Sequence, residues 1–420
     1  MPVSFSEFSG GVGIESAFSV LAVARRLKAA GKRVIELEIG DSPFPATRSA
    51  KRVAIEAIQA DQSHYAPSIG LNELRAAAAG YMRQEHGVDV AAENVIIGSG
   101  AKIFEQLFCE AFLDPGDGVL VFSPYFPTYL PNIARRGARV WFSDLLSSNR
   151  FRPRMDEIER FLQNDPHPKA IFLNSPHNPT GGVATAEDLR GLADLIRGRN
   201  VALFSDEPYD QMVWRGRHRT PLVEPGMLEQ CVAAYTFSKS YSMSGYRLGF
   251  AVSSTTIIER LATLLNTTLS CVPPLVQLAG AAALENDNGE RDQNMQRFAE
   301  QVRTLADGLA AIPEVRCETP DGTFYVFPDV SAICNRLGLT SHGLAMFLLE
   351  GADEHVGVAC LGGECFGSAG AGFLRFSCAE TPEVMLQAVA FFRDAITRTD
   401  AARKYAANNP QFVLRKPYVI

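Results

Sequence analysis

Residues 236–250 read TFSKSYSMSGYRLGF, a lysine between two serines directly after an apolar run, with an arginine eight residues further on. A lysine amine attacks carbon only when it is held deprotonated or already condensed as a Schiff base. Lys239 follows a strand-like run, which would bury its stem and aim its amine into a crevice. Ser238, Thr236 and Arg247 add two hydroxyls and a guanidinium, a set suited to a phosphate dianion that arginine can grip with two hydrogen bonds. Taken alone, Lys239 reads as a surface group, as most lysines are. Upstream, IIGSGAK runs a strand through Gly98, Ser99 and Gly100 into a helix beginning near Ala101. Free amides at a helix N-terminus form an anion site. A dinucleotide fingerprint would need a third glycine where Ile103 stands, so a plain strand-to-helix turn is the rival reading.

These groups need a scaffold that brings them together. Short β-branched or aromatic runs (NVIIGS, GVLVFS, ARVWFS, AIFLNS, VALFSD, CVAAYTFS, LGFAVSS) alternate with helical patterns through the middle of the chain. That alternation predicts an α/β fold with a mostly parallel seven-stranded sheet covered by helices, in a large domain over 51–288. Ligands of such sheets bind beyond the carboxyl ends of the strands, where Asn174, Asp206 and Lys239 fall. After about Gly289 longer helices (RDQNMQRFAEQVRTLADGLAAI, SHGLAMFLLEGADEHV, PEVMLQAVAFFRDAIT) separate short strands such as TFYVFP and GFLRFSC. This predicts a smaller α+β domain over 1–50 and 289–399, which the helix SAFSVLAVARRLKAAG joins. The C-terminal tail, 400–420, reads as docked on a neighbour or disordered.

The bulk properties bound the function. A chain of 420 residues is long for one hydrophobic core. A net charge of −7 without a basic run argues against nucleic acid or a membrane surface as partner. The eight cysteines are scattered with no metal-site spacing, which predicts no metal, reduced buried thiols and a cytoplasmic protein. No secretory signal is visible at the N-terminus. Residues 261–284 carry no charge, but Asn266, Pro273, Pro274 and Gln277 make a buried helix, loop and helix the better reading than a membrane span.

The ordered segments IELEIGDSPFP, HYAPSIGLNELR, GSGAK, SPYFPTY, NSPHNPTG, SDEPYD, TFSKSYSMSGYRLG, PDGTFYVFP and FLRFS resemble the fold-type I pyridoxal-phosphate enzymes. The resemblance is closest to the class I/II aminotransferases of the aspartate and aromatic kind, and it covers nearly the whole chain. It implies a ping-pong aminotransferase with pyridoxal 5′-phosphate as cofactor and an L-amino acid and a 2-oxo acid as substrates. By the same resemblance, Lys239 holds the cofactor as an internal aldimine and shuttles the Cα proton. Asp206 faces the pyridine nitrogen, where a carboxylate keeps the ring protonated. Asn178 and Tyr209 bond the ring's phenolate oxygen, and Phe126 stacks on the ring. The phosphate falls to the amides of Gly100, Ala101 and Lys102, to Thr236 and Ser238, and to Arg247. Tyr65 reaches the neighbouring subunit's phosphate, which implies a homodimer with shared active sites. Arg375 clamps the substrate α-carboxylate through its planar fork, with Gly40 and Asn178 beside it. Glu207 and His177 are read as supporting residues.

Three departures from the family pattern fall on the substrate side: GDSPF at 40–44, HNPTG at 177–181 and Gly362 before a second glycine. No arginine occurs in LNTTLSCVPPLVQ, where dicarboxylate enzymes often carry a side-chain clamp, and Lys102 is the candidate substitute. Neutral or aromatic amino acids are therefore at least as plausible as aspartate. Two rivals remain: a carbon–sulfur β-lyase or aminocyclopropane-carboxylate-synthase-like enzyme built on the same residues, and a non-catalytic cofactor-sensing module.

Overall fold

The computed structural model describes residues 3–13, 15–287 and 289–419; Met1, Pro2, Ile14, the domain-boundary residue Asn288 and the last tail residue Ile420 lie outside them. The seven apolar runs form one sheet. Its strands are β1 (Val95–Gly98), β2 (Gly118–Ser123), β3 (Arg139–Asp144), β4 (Pro168–Asn174), β5 (Ala202–Asp206), β6 (Cys231–Thr236) and β7 (Gly249–Val252). Their spatial order is β1-β7-β6-β5-β4-β2-β3. Every neighbouring pair is parallel except those made by β7, which runs antiparallel to β1 and β6. Alternate residues feed two apolar clusters: Ile97, Ile171 and Leu203 enter one, and Ile96, Phe172 and Phe204 the other. A sheet buried on both faces needs unbroken apolar runs, which is why these strands do not alternate with polar residues.

The covering helices show their ends in sequence. Thr185 accepts a bond from the amide of Asp188 at 3.2 Å, and the Asp188 carboxylate accepts one from the amide of Thr185 at 2.8 Å. This reciprocal cap starts the helix Ala186–Ile196, whose Leu189, Leu192, Ala193 and Ile196 are buried at helical spacing. The uncharged stretch 261–284 forms parts of two helices, Thr255–Thr268 and Pro274–Glu285. Among the described residues no helix is long and apolar enough to cross a membrane.

A third apolar cluster lies outside the seven-stranded sheet. Val20 and Ala24 of the helix Ser16–Ala29 and Phe298, Val302 and Leu305 of the helix Glu290–Ala310 all belong to it. Strand Arg33–Glu36 pairs in parallel with Val356–Ala359, and Leu361–Gly362, Leu374–Ser377 and Tyr325–Val326 form an antiparallel sheet. Two expectations are corrected here. The helix read over SHGLAMFLLEGADEHV spans only Ser341–Met346 and a wider turn at Phe347–Gly351. The Asp353 carboxylate then accepts bonds from the amides of His355 at 2.8 Å and Val356 at 3.0 Å, which turns the chain into a strand. The tail, read as docked on a neighbour or disordered, folds onto its own chain. Helix Thr399–Asn408 buries Ala402 and Tyr405, and Asn335 bonds the backbone amide of Tyr418 at 2.8 Å and its carbonyl at 3.0 Å. Its scattered aromatic residues have sites on the third cluster, which a count of polar residues does not reveal.

Strand β7 passes close beneath the turn that follows β1. A methyl group on Gly249 would stand 2.6 Å from the Tyr235 carbonyl oxygen, 2.7 Å from the Gly100 carbonyl carbon and 2.9 Å from the Ala101 nitrogen. All three are backbone atoms and cannot rotate aside. Gly249→Ala is expected to destabilise the fold by about 1–3 kcal/mol through overpacking. A lowered urea midpoint with an unchanged slope would match this, and an unchanged midpoint would show that the sheet absorbs the methyl.

Candidate active site

Strands β4, β5 and β6 end at Asn174, Asp206 and Thr236, and Asn174 and Asp206 are register partners on adjacent strands. Beyond these ends lies a cavity of about 450 Å³. Among its lining residues are Lys239, Asp206, Tyr209, Asn178, Phe126 and Arg375. Gly40, Ala101, Lys102, Thr236, Ser238 and Arg247 also line it. A separate cavity of about 350 Å³ between Arg150 and Phe373 contains none of the sequence-predicted residues except the loop after Asn178. Its charges are already paired, Arg150 with Glu318 and Asp321 and Arg316 with Asp329.

Lys239 sits just past the end of β6, where the strand gives way to turns. Its ammonium donates to the Gly40 carbonyl at 2.6 Å and lies 5.8 Å and 5.7 Å from the ring centroids of Tyr209 and Phe324. It has no carboxylate partner among the described residues. Gly40 is required by proximity, since a Cβ there would collide with the Tyr325 hydroxyl.

Asp206 is 5 % exposed. Its Oδ2 accepts from the Tyr129 hydroxyl at 2.5 Å and from Asn174 Nδ2 at 3.4 Å. Burial pushes its carboxyl above the ordinary range, against the pull of the Tyr129 bond. Glu105, also buried, is pushed up by desolvation and then by the charge of Asp206, while its carboxylate accepts from Thr128 at 2.6 Å and Asn132 at 3.2 Å. Glu207 points the other way, accepting bonds from Ser205, Thr220, Tyr235 and His218, so it braces the strand ends from behind. Burial lowers His177 to about 4, which keeps it neutral beside Thr180 at 2.7 Å.

Arg375 comes from the antiparallel sheet of the third cluster, yet it reaches the same cavity. It is 4 % exposed, not a surface cation. Its Nη1 donates to Asn178 Oδ1 at 3.0 Å and its Nη2 to the Glu38 carbonyl at 2.6 Å, while Nε has no partner. The guanidinium lies 4.2 Å from the Tyr325 ring centroid, and Tyr325 shares a 3.2 Å hydroxyl contact with Tyr209. A buried guanidinium with donor capacity to spare is prepared for an anion.

A second cluster of hydrogen-bond donors lies at the start of the helix Lys102–Phe112. Gly100 adopts φ 78°, and a Cβ there would stand 2.8 Å from Arg247 Nη2, so the guanidinium lies against the turn. The Thr236 and Ser238 hydroxyls are 2.9 Å apart beside it, and Arg247 makes no ion pair among the described residues. Tyr65 stands apart from this cavity, 91 % exposed. Several contributing residues had no role assigned from sequence: Asn174, Tyr129, Glu105, Tyr325 and Glu38. Tyr129 lies three residues after Phe126, a spacing that offered a signal. Glu38 offered none, since only the tertiary structure buries it.

The profile of the family described as aminotransferase class I and II matches residues 32–392. The chain belongs to this family. It is 31 % identical over 359 residues to an aspartate aminotransferase of Pyrococcus horikoshii, covering 85 % of this chain and 89 % of that one. It is 30 % identical to aromatic-amino-acid aminotransferase 2 of Thermococcus litoralis, covering 85 % and 90 %. The aspartate aminotransferase from Thermus thermophilus with maleate superposes with a TM-score of 0.87 at 29 % identity, covering 94 % of this chain and all of that one. The protein is a pyridoxal-phosphate-dependent aminotransferase, and the β-lyase and cyclopropane-forming alternatives are not favoured. The donor set of this aminotransferase fits the cofactor. A lysine amine with no carboxylate in ion-pair contact, a buried carboxylate that is in no ion pair itself, and an arginine in no ion pair beside a helix start and two hydroxyls, all among the described residues, match its aldehyde, ring nitrogen and phosphate.

Glu38 supplies a pH test of the enzyme's fold. It is fully buried, neither carboxylate oxygen has a hydrogen-bond partner, and burial pushes the carboxyl from 4.5 up to about 7. The folded state therefore favours the protonated form. The stability this contributes is complete below about pH 4.5 and is lost as pH rises through about 7. Between about pH 5 and pH 8, Glu38→Gln should lose less stability than the wild type by roughly 2–3 kcal/mol. Urea midpoints at both pH values measure the difference, and equal losses in the two proteins would refute it.

Proposed function

We propose that this cavity moves an amino group between an L-amino acid and a 2-oxo acid by a ping-pong cycle, with Lys239 as its central residue. The observation that carries the reading is the convergence of Lys239, Asp206, Arg247 and Arg375, drawn from distant parts of the chain, on one cavity. Bound pyridoxal phosphate supplies an electrophilic carbon for an amine and a ring that withdraws the electrons released at the substrate Cα. Asp206, held by Tyr129 and Asn174, would stabilise positive charge at the ring nitrogen. Phe126 provides the stacking face, and Asn178 and Tyr209 offer hydrogen bonds to the ring's oxygen. The backbone amides of Gly100, Ala101 and Lys102, the Thr236 and Ser238 hydroxyls and the Arg247 guanidinium would hold the phosphate. Arg375 takes the α-carboxylate in its fork, with Asn178 and the Gly40 backbone beside it. The Lys239 amine, 2.6 Å from the Gly40 carbonyl, moves the Cα proton.

The same reading divides the chain into a large domain over 51–288, a small domain over 1–50 and 289–399, and a tail over 400–420. It makes the enzyme a homodimer in which the exposed Tyr65 reaches the phosphate held by the other copy. Eight free thiols suit a reducing, cytoplasmic setting.

Borohydride should fix the cofactor onto a peptide containing Lys239, and Lys239→Ala should lose both the covalent link and turnover. The amino-acid half-reaction without added oxo acid should release one equivalent of oxo acid, with the nitrogen retained on the protein. Arg375→Lys keeps the charge and loses the fork, so kcat/KM should fall by on the order of 10² or more for every amino acid whatever its side chain. A loss confined to one side-chain class would contradict the α-carboxylate role. Asp206→Asn should slow turnover by roughly 10³-fold or more. It should also raise the urea midpoint of the cofactor-free protein at neutral pH, because a buried ionised carboxylate is removed. A variant with near-normal turnover would show that another group serves the ring nitrogen.

A further inference from the structure

The inner cavity adjoins a wider outer one of about 870 Å³. Arg375 lines only the inner cavity, whereas Glu15, Phe18, Lys102 and Arg247 line both. At this boundary the Lys102 ammonium forms an ion pair with Glu15 and lies 5.2 Å from the Phe126 ring centroid. Glu15 directly precedes the helix Ser16–Ala29, and its side chain makes no capping bond there, so the carboxylate is committed to Lys102. The Glu15 side chain is 19 % exposed and that of Lys102 45 %, so the pair stands at the junction of the cavities with its carboxylate the more desolvated partner. The nearby walls, Ile39, Phe18, Phe126 and Tyr325, are apolar or aromatic.

We propose that Glu15 is a specificity-determining residue: by neutralising Lys102 where the two cavities meet, it turns the enzyme toward amino acids with uncharged side chains and away from dicarboxylates. This rests on the reading that Arg375 binds the α-carboxylate. A free Lys102 would offer a side-chain carboxylate a charge-assisted hydrogen bond. Here that carboxylate must displace Glu15, which then repels it, so discrimination comes from a built-in repulsive partner. An aromatic side chain leaves the pair intact and covers the apolar walls. An amide side chain can accept from Lys102 and donate to Glu15.

The test uses the holoenzyme and two unreactive carboxylates, maleate and 3-phenylpropionate, with Kd measured by calorimetry. The wild type should bind 3-phenylpropionate more tightly than maleate. Glu15→Gln should shift the ratio of the two Kd values toward maleate by about tenfold. Adding Lys102→Gln should remove that gain, and kcat/KM for aspartate relative to phenylalanine should follow the same order. A ratio unchanged in Glu15→Gln, or a gain that survives Lys102→Gln, overturns the proposal while leaving the aminotransferase reading intact. If Arg375→Lys leaves both Kd values unchanged, the α-carboxylate reading fails and this proposal fails with it.

Discussion

Asp206 is a carboxylate at the carboxyl end of a central strand, buried with one phenol and one amide as its direct partners. Burying such a charge is costly unless something positive arrives to meet it. Much of the surrounding structure answers to that cost. Parallel strands present their ends together, so Asn174 can reach the Asp206 backbone carbonyl at 2.8 Å and hold the strand end in place. Tyr129 approaches from the short helix after β2 and supplies the one short bond. The protein alone leaves the carboxyl pushed upward, and in the proposed site a cationic ring nitrogen would make its ionisation favourable.

The second organising feature is the contact between Arg375 and Asn178, which joins two parts of the molecule built around different cores. Arg375 is anchored in the small antiparallel sheet, stacked on Tyr325, and held by the Glu38 carbonyl. Tyr325 in turn contacts Tyr209, which follows Asp206 by one turn of chain. On the proposed role of Arg375, a substrate held there would be positioned by both sheets at once, and its orientation relative to Lys239 would depend on their packing and not on either sheet alone. Preorganised geometry of this kind is where binding energy becomes catalytic rate.

Much of this was legible without coordinates. Seven apolar runs, most of them followed by helical patterns, fit a covered, mostly parallel sheet, and all seven form one sheet in which only β7 is antiparallel. The candidate cofactor residues stood out because strand ends in such a sheet share one edge, so Asp206 and Lys239 line one cavity. What was not legible depended on contacts between distant segments. The tail looked polar because its few aromatic residues are spread out, yet they meet the third cluster. The helix after Ser341 looked longer because its apolar spacing continues, and the Asp353 carboxylate ends it by capturing two amides.

The sequence by itself determined the fold class, the sheet edge where the candidate residues gather and the kinds of groups present there, because periodicity and strand-end placement are local properties of the chain. The tertiary structure alone decided which charges are satisfied. Glu15 and Lys102 are 87 residues apart and form a pair, Glu38 is left without a hydrogen-bond partner for its carboxylate, and Arg375 is buried with one donor open. The reason is physical: the free energy of a charged group is set by desolvation and by its nearest partners, and both are fixed only when separate segments come together.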